Sequence, residues 1–128
     1  MRTKISEAIK NTVEPEYTFY RGFIADKINS VKDNFPLVWL NPPEMTGKNT
    51  YNCILYLMIK DSKYSEQEKE NRWALMENFI LSAFDNIVKN DMYITDINNI
   101  KTYPNEYAYT GFGELSLKIT FTVIVNPC

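Results

Sequence analysis

Carboxylates are the side chains in this sequence whose spacing comes closest to chemistry. Asp91 and Asp96 flank the start of an expected strand, and paired acids of this kind hold Mg²⁺ for phosphodiester cleavage when a third acid joins them. No third acid stands at a supportive spacing, so exposed loop acids are the simpler reading. Glu66, Glu68 and Glu70 crowd the first turns of an expected helix, where the helix dipole favours negative charge. The chain has no histidine, which excludes Ser-His-Asp and Cys-His machinery and every histidine metal site. Its two cysteines, Cys53 and Cys128, form no CxxC. Cys53 falls in an apolar strand pattern, where a thiol is a small core filler, and nothing indicates the oxidising compartment a disulfide needs. The expectation is a protein with no catalytic residue, no metal and no cofactor.

Two loops carry contact-type residues instead. Gly111-Phe112-Gly113 precedes a strand, whereas a phosphate cradle must open a helix so that free amides face the anion. It reads as a hinge or bulge. Tyr103, Tyr107 and Tyr109 lack the interleaved basic residues of a nucleic-acid platform. Tyrosine offers rigid area with a polar tip, which suits a protein interface, although the same rings can pack on their own domain. Asn41-Pro42-Pro43-Glu44-Met45 is stiff and partly apolar: a contact arm or a turn. The candidate interface residues are therefore Pro42, Pro43, Met45, Tyr103, Tyr107, Tyr109 and Phe112.

The elements that must hold these loops follow from periodicity. Ser65 and Glu68 make a capping box, and Trp73, Met76, Ile80, Phe84 and Ile87 recur at three- and four-residue steps, with Leu75, Phe79 and Ala83 widening the stripe. A helix over residues 65–88 spans about 36 Å, enough to cross a small sheet, with Glu77 among the residues facing away. Residues 3–13 predict a short helix with Ile5, Ala8, Ile9 and Val13 on one side, broken before Pro15. Tyr20, Ile24, Ile28, Val31 and Phe35 predict a second helix over 18–34, ended by Pro36. The run 37–40 is an apolar strand that Asn41-Pro42-Pro43 stops, and 41–50 is a loop or long hairpin connection. Tyr51 to Lys60 is a strand apolar on both sides, hence central, with one face under helices and the other under something else, a neighbouring subunit included. Residues 92–100 predict a strand with a bulge or turn at Asn98-Asn99, and 101–113 a loop. Glu114 to Val125 alternates, with Leu115, Leu117, Ile119, Phe121, Val123 and Val125 on one face.

The expected fold is α+β: a four-stranded mixed or antiparallel sheet with an N-terminal helix and one long helix packed on one face, in the order α-β-β-α-β-β. At 128 residues with 45% hydrophobic and 23% charged composition, it reads as one domain, with 1–15 as an optional helical arm. A formal charge of −2 supplies no basic field for gripping nucleic acid. Arg2 with Lys4, and Lys60 with Lys63, read as solvated surface. The first ten residues lack the apolar core of a signal peptide, and no run approaches the roughly 20 apolar residues of a membrane helix.

The helix at 18–34, the strand pair around PLVWL and TYNCILYLMIK, the helix SEQEKENRWALMENFILSAFDNIV and the closing ELSLKITFTVIV together resemble, in layout, the tail-terminator and head–tail connector (neck) proteins of tailed bacteriophages. The segment before Pro15 departs from that layout. The resemblance implies a virion protein of the neck or tail, assembled in the bacterial cytoplasm. It implies closed rings, on the order of six or twelve copies, joining portal, neck or tail-tube proteins while double-stranded DNA passes without specific binding. A non-viral dimerising protein-binding module and a small Mg²⁺-dependent carboxylate nuclease are the competing readings.

Overall fold

A computed structural model describes residues 1–22, 35–60, 63–105 and 114–126. Helix α1 covers Arg2–Val13 and α2 covers Glu66–Asn90. The strands are β1 (Thr18–Arg21), β2 (Leu37–Leu40), β3 (Glu44–Gly47), β4 (Thr50–Lys60), β5 (Ile94–Asn105) and β6 (Glu114–Val125). The class is α+β, as expected, but the sheet has six strands and not four. Its order is β1-β2-β4-β6-β5, with β3 also paired to β4. β1 lies parallel to β2, and every other pairing is antiparallel.

Both additional strands are short, and each replaces an expectation. Thr18–Arg21 opens a strand, not a helix, because Thr18, Phe19 and Tyr20 are β-branched or aromatic and Leu37–Leu40 offers them a ladder. Gly22 ends it at φ +122°, a backbone conformation open to glycine and strained for other residues. The rest of the expected second helix, with Ile24, Ile28 and Val31, lies outside the described residues. Asn41-Pro42-Pro43 interrupts the first arm of the hairpin but does not end it. The Asn41 amide still donates to Ile54 O at 3.0 Å, and the chain resumes pairing at Glu44. β2 and β3 are thus two pieces of one arm laid against β4, joined to it through Lys48-Asn49, with Asn49 at φ +63°.

β4 and β6 form the long central pair, in register from Thr50 opposite Ile124 to Lys60 opposite Glu114. Their alternation aims Tyr51, Cys53, Leu55 and Leu57 with Leu115, Leu117, Ile119, Phe121, Val123 and Val125 into one core under both helices. Ile5, Ile9 and Val13 of α1 and Met76, Ile80, Phe84 and Ile87 of α2 complete it, so α1 belongs to the same core. Each such side chain contributes about 1.5–3 kcal/mol on burial. Phe84 meets Phe121 at 4.5 Å between ring centroids, and Tyr17 meets Phe79 at 4.7 Å. The expected stripe of α2 holds except at Leu75, which is 60% exposed. Glu77, expected outward, is half-buried and accepts a hydrogen bond from Thr102 Oγ1.

The opposite face of the sheet is divided. At the β1–β2 side, Leu37, Trp39, Tyr56 and Met58 form a second buried cluster, with Tyr20 stacked on Trp39 at 5.4 Å. The second apolar side of β4 is therefore buried within the chain at Tyr56 and Met58, without a neighbouring subunit. Ser116 and Glu114, on the face of β6 expected outward, are also buried. Toward the hairpin turn the same face becomes polar, with Asn52, Thr120 and Thr122.

Candidate functional site

The two paired-acid candidates are held by local hydrogen bonds. Asp91 caps α2, and its Oδ1 accepts from the amides of Tyr93 (2.8 Å) and Ile94 (2.9 Å). Asp96 Oδ2 accepts from Asn98 Nδ2 at 2.7 Å. Among the described residues, no three acids, cysteines or histidines gather to hold a metal ion. At the start of α2, Glu68 N donates to Ser65 Oγ at 3.2 Å while Ser65 N donates to Glu68 Oε1 at 3.4 Å. That is the reciprocal capping box read from the sequence. Cys53 is buried, and desolvation pushes its thiol from 9.0 up to about 12, so it remains neutral and unreactive at ordinary pH.

The interface candidates separate. Met45 lies on β3 at 58% exposure, and Tyr103 on β5 at 46%. Tyr103 is in a strand and not a loop, opposite Lys118, whose Nζ stands 5.8 Å from its ring centroid. Pro42 is half-buried. Pro43 is buried, and its carbonyl accepts from Arg2 Nε at 2.8 Å, so it is a joint between hairpin and α1 and not an arm tip. Tyr107, Tyr109 and Phe112 lie outside the described residues, as does the Gly111-Phe112-Gly113 segment.

Tertiary structure also assembles several concavities among the described residues, two of which involve the β2–β3 junction. The larger, of about 620 Å³, lies on the polar part of the sheet face between the β2–β3 junction and β5. Glu44, Asn52, Asn99, Lys101, Thr120 and Thr122 contribute to it. Asn52 Oδ1 accepts from Thr122 Oγ1 at 3.1 Å. The signal for one wall was legible: the register of β5 shifts between Asn98 and Lys101, with Asn99 at φ +53°, the bulge that Asn98-Asn99 predicts. The smaller, of about 220 Å³, lies between the first turns of α1 and the ends of β1 and β2. Lysine and arginine spacing along the chain gives no hint of it, because Arg2 and Arg21 come from separate elements.

No family model matches the chain, and no curated protein matches its sequence.

Proposed function

We propose that this chain is a structural protein of a tailed-bacteriophage particle, one that forms a ring at the tail end or in the neck. It would join head and tail and leave a lumen through which DNA passes. The observation that carries the reading is the placement of its exposed contact side chains. In the hairpin half of the molecule the strand sequence across the sheet is β3, β4, β6, β5. Met45 stands there on β3, and Tyr103 on the opposite outer strand β5, further along at the level of Lys118, Tyr56 and Trp39. Copies meeting edge to edge would join unlike surfaces, and heterologous contacts close into rings when the rotation permits. Large exposed apolar and aromatic side chains are what interface centres are made from. The layout of hairpin, long helix and two closing strands also supports the reading. The expected helix over 18–34 supports it less, since its first turn is β1.

Portal, neck or tail-tube proteins are the expected partners, with double-stranded DNA in transit and on the order of six or twelve copies per ring. The competing reading is a non-viral module that dimerises. It is favoured by the outer edge of the twelve-residue β5, since an edge strand can pair with a second chain.

Gel filtration with light scattering and negative-stain imaging decides between them, alone and with portal and tail-tube proteins added. Closed rings are expected for the ring reading. Met45→Glu and Tyr103→Glu should each abolish the rings while leaving the melting temperature unchanged. Mixed together, the two variants should recover one contact and give dimers, because each retains the surface the other lacks. A chain that stays monomeric or dimeric with every phage partner would overturn the proposal.

A further inference from the structure

In the hairpin half of the sheet, two outer edges have no neighbouring strand among the described residues: that of β3, whose four residues are all exposed, and that of β5. Backbone groups in an antiparallel pair point alternately toward and away from the adjacent strand. Asn41 N donates to Ile54 O, so Asn52 and Ile54 of β4 turn their groups toward the hairpin arm, and Tyr51 turns its groups toward β6. Met45, opposite Tyr51, therefore directs its own amide and carbonyl outward. On β6, Thr120 and Thr122 stand opposite Ile54 and Asn52 and turn toward β5, where they meet Lys101 and Asn98. Ile100, next to Lys101, directs its groups outward.

Laying β3 of one copy antiparallel on β5 of the next, with Met45 opposite Ile100, pairs these outward groups and matches the side chains as well. Met45 and Ile100 both lie on the face under the helices, Met45 opposite Tyr51 and Ile100 packed against the core. Glu44 then stands opposite Lys101 on the other face, where both line the larger concavity of their own chain. Neither has an ion-pair partner among the described residues. Lys48, in the turn, comes close to Asp96, a second pair of opposite charges, and Tyr103 comes to the level of Pro42. The irregularities of the two strands also coincide. β3 shifts register between Met45 and Gly47 and β5 between Asn98 and Lys101, and in this alignment the two bends fall opposite each other. A bulge and a lysine deter an edge from pairing with an ordinary strand, so β5 selects a partner that carries the matching bend and an acid. Within one chain Glu44 is level with Asn98, whereas Lys101 lies one row of side chains further along. Successive copies are thus displaced along the strands, which closing a sheet on itself requires.

We infer that β3 of one copy adds antiparallel to the outer edge of β5 of a second copy, with Glu44 opposite Lys101 and Met45 opposite Ile100, and that this head-to-tail addition is the contact between copies. It rests on the ring reading and supplies the register of its interface. Charge reversal in the full chain tests it, read by light scattering and negative-stain imaging, alone and with portal and tail-tube proteins. Glu44→Lys and Lys101→Glu each set like charges against each other at every contact and should raise the concentration needed for rings at least about tenfold. Both side chains are exposed, so the melting temperature of the unassembled chain should not change. Mixing the two variants in equal amounts should restore rings, because the two kinds of copy then alternate with opposite charges at every contact. The double variant should restore them by itself. Rings that survive both single reversals leave the ring reading standing and overturn this contact. So does loss of rings without rescue in the mixture and the double variant. A dimer that persists in Glu44→Lys also overturns it, since β5 would then be pairing with β5 of another copy. Absence of rings from the unaltered chain under every condition overturns the contact and the ring reading together.

Discussion

Cys53 faces Phe121 across the central strand pair and lies under the helices, 2% exposed. Its thiol, raised from 9.0 to about 12 by desolvation, makes stability depend on pH in a definite direction. The folded chain keeps a proton that the unfolded chain releases near pH 9, so the contribution is complete below pH 9. It is lost between pH 9 and 12, at up to about 1.4 kcal/mol per pH unit. Tyr17, also raised by burial, adds a loss of the same sign above its ordinary value of 10.0. Denaturant melts from pH 8 to pH 11 should therefore fall in midpoint, and Cys53→Ala should flatten the part of the fall that begins near pH 9. Gly22 is the second residue whose chemistry the fold depends on. A Cβ there would meet nothing within 4 Å, but its φ is +122°. Gly22→Ala should cost about 1–3 kcal/mol through backbone strain alone, measurable by urea denaturation. The cost would extend to Trp39, whose indole N–H donates to Gly22 O at 2.8 Å.

At the scale of elements, α2 is held at its start, its middle and its end by different interactions. The capping box closes its first turn, Trp73 Nε1 donates to Ser116 O at 2.9 Å, and Asp91 gathers the amides that follow it. Ser65→Ala should cost about 1 kcal/mol and lower the melting temperature by about 3–5 °C. Trp73→Phe keeps an aromatic ring but removes the indole N–H that donates to Ser116 O, and should cost about 0.5–1.5 kcal/mol. Leu75 and Leu81 provide the contrast. They are 60% and 43% exposed, so Leu75→Gln and Leu81→Gln should stay within about 0.5 kcal/mol, whereas Ile80→Ala, one position from Leu81 but facing the core, should cost about 2–5 kcal/mol. Thermal melts of these last three variants would locate the buried side of the helix directly.

At the scale of the molecule, the sheet does two different things along its length. At the β1–β2 side it is buried on both faces, with Trp39, Leu37 and Met58 on the face away from α1 and α2. Toward the hairpin turn that face is polar and concave and β3 carries the exposed Met45, while Tyr103 is exposed on β5 at the level of Tyr56 and Trp39. Exposed contact residues on opposite edges of one sheet suit the proposed building block, and the double-variant mixing experiment tests that use of the surface.

Much of the scaffold was written locally. The alternation of Glu114–Val125, the two apolar sides of Thr50–Lys60, the stripe and cap of α2, and Ile5, Ile9 and Val13 in α1 each repeat with the period of their own element. A helix or strand long enough to repeat reveals itself without neighbours. Tertiary structure decided what four-residue segments become. Thr18–Arg21 is too short to carry a two-residue period and is a strand because β2 completes its hydrogen bonds. Glu44–Gly47 resumes an arm that two prolines interrupt, because β4 continues alongside it. It also decided which distant residues meet: Thr102 with Glu77, Trp73 with Ser116, Arg2 and Arg21 around Ser6 and Asn41. Side-chain periodicity encodes the face a residue takes within its own element. Which faces then oppose one another is settled by strand pairing and core packing across the whole chain.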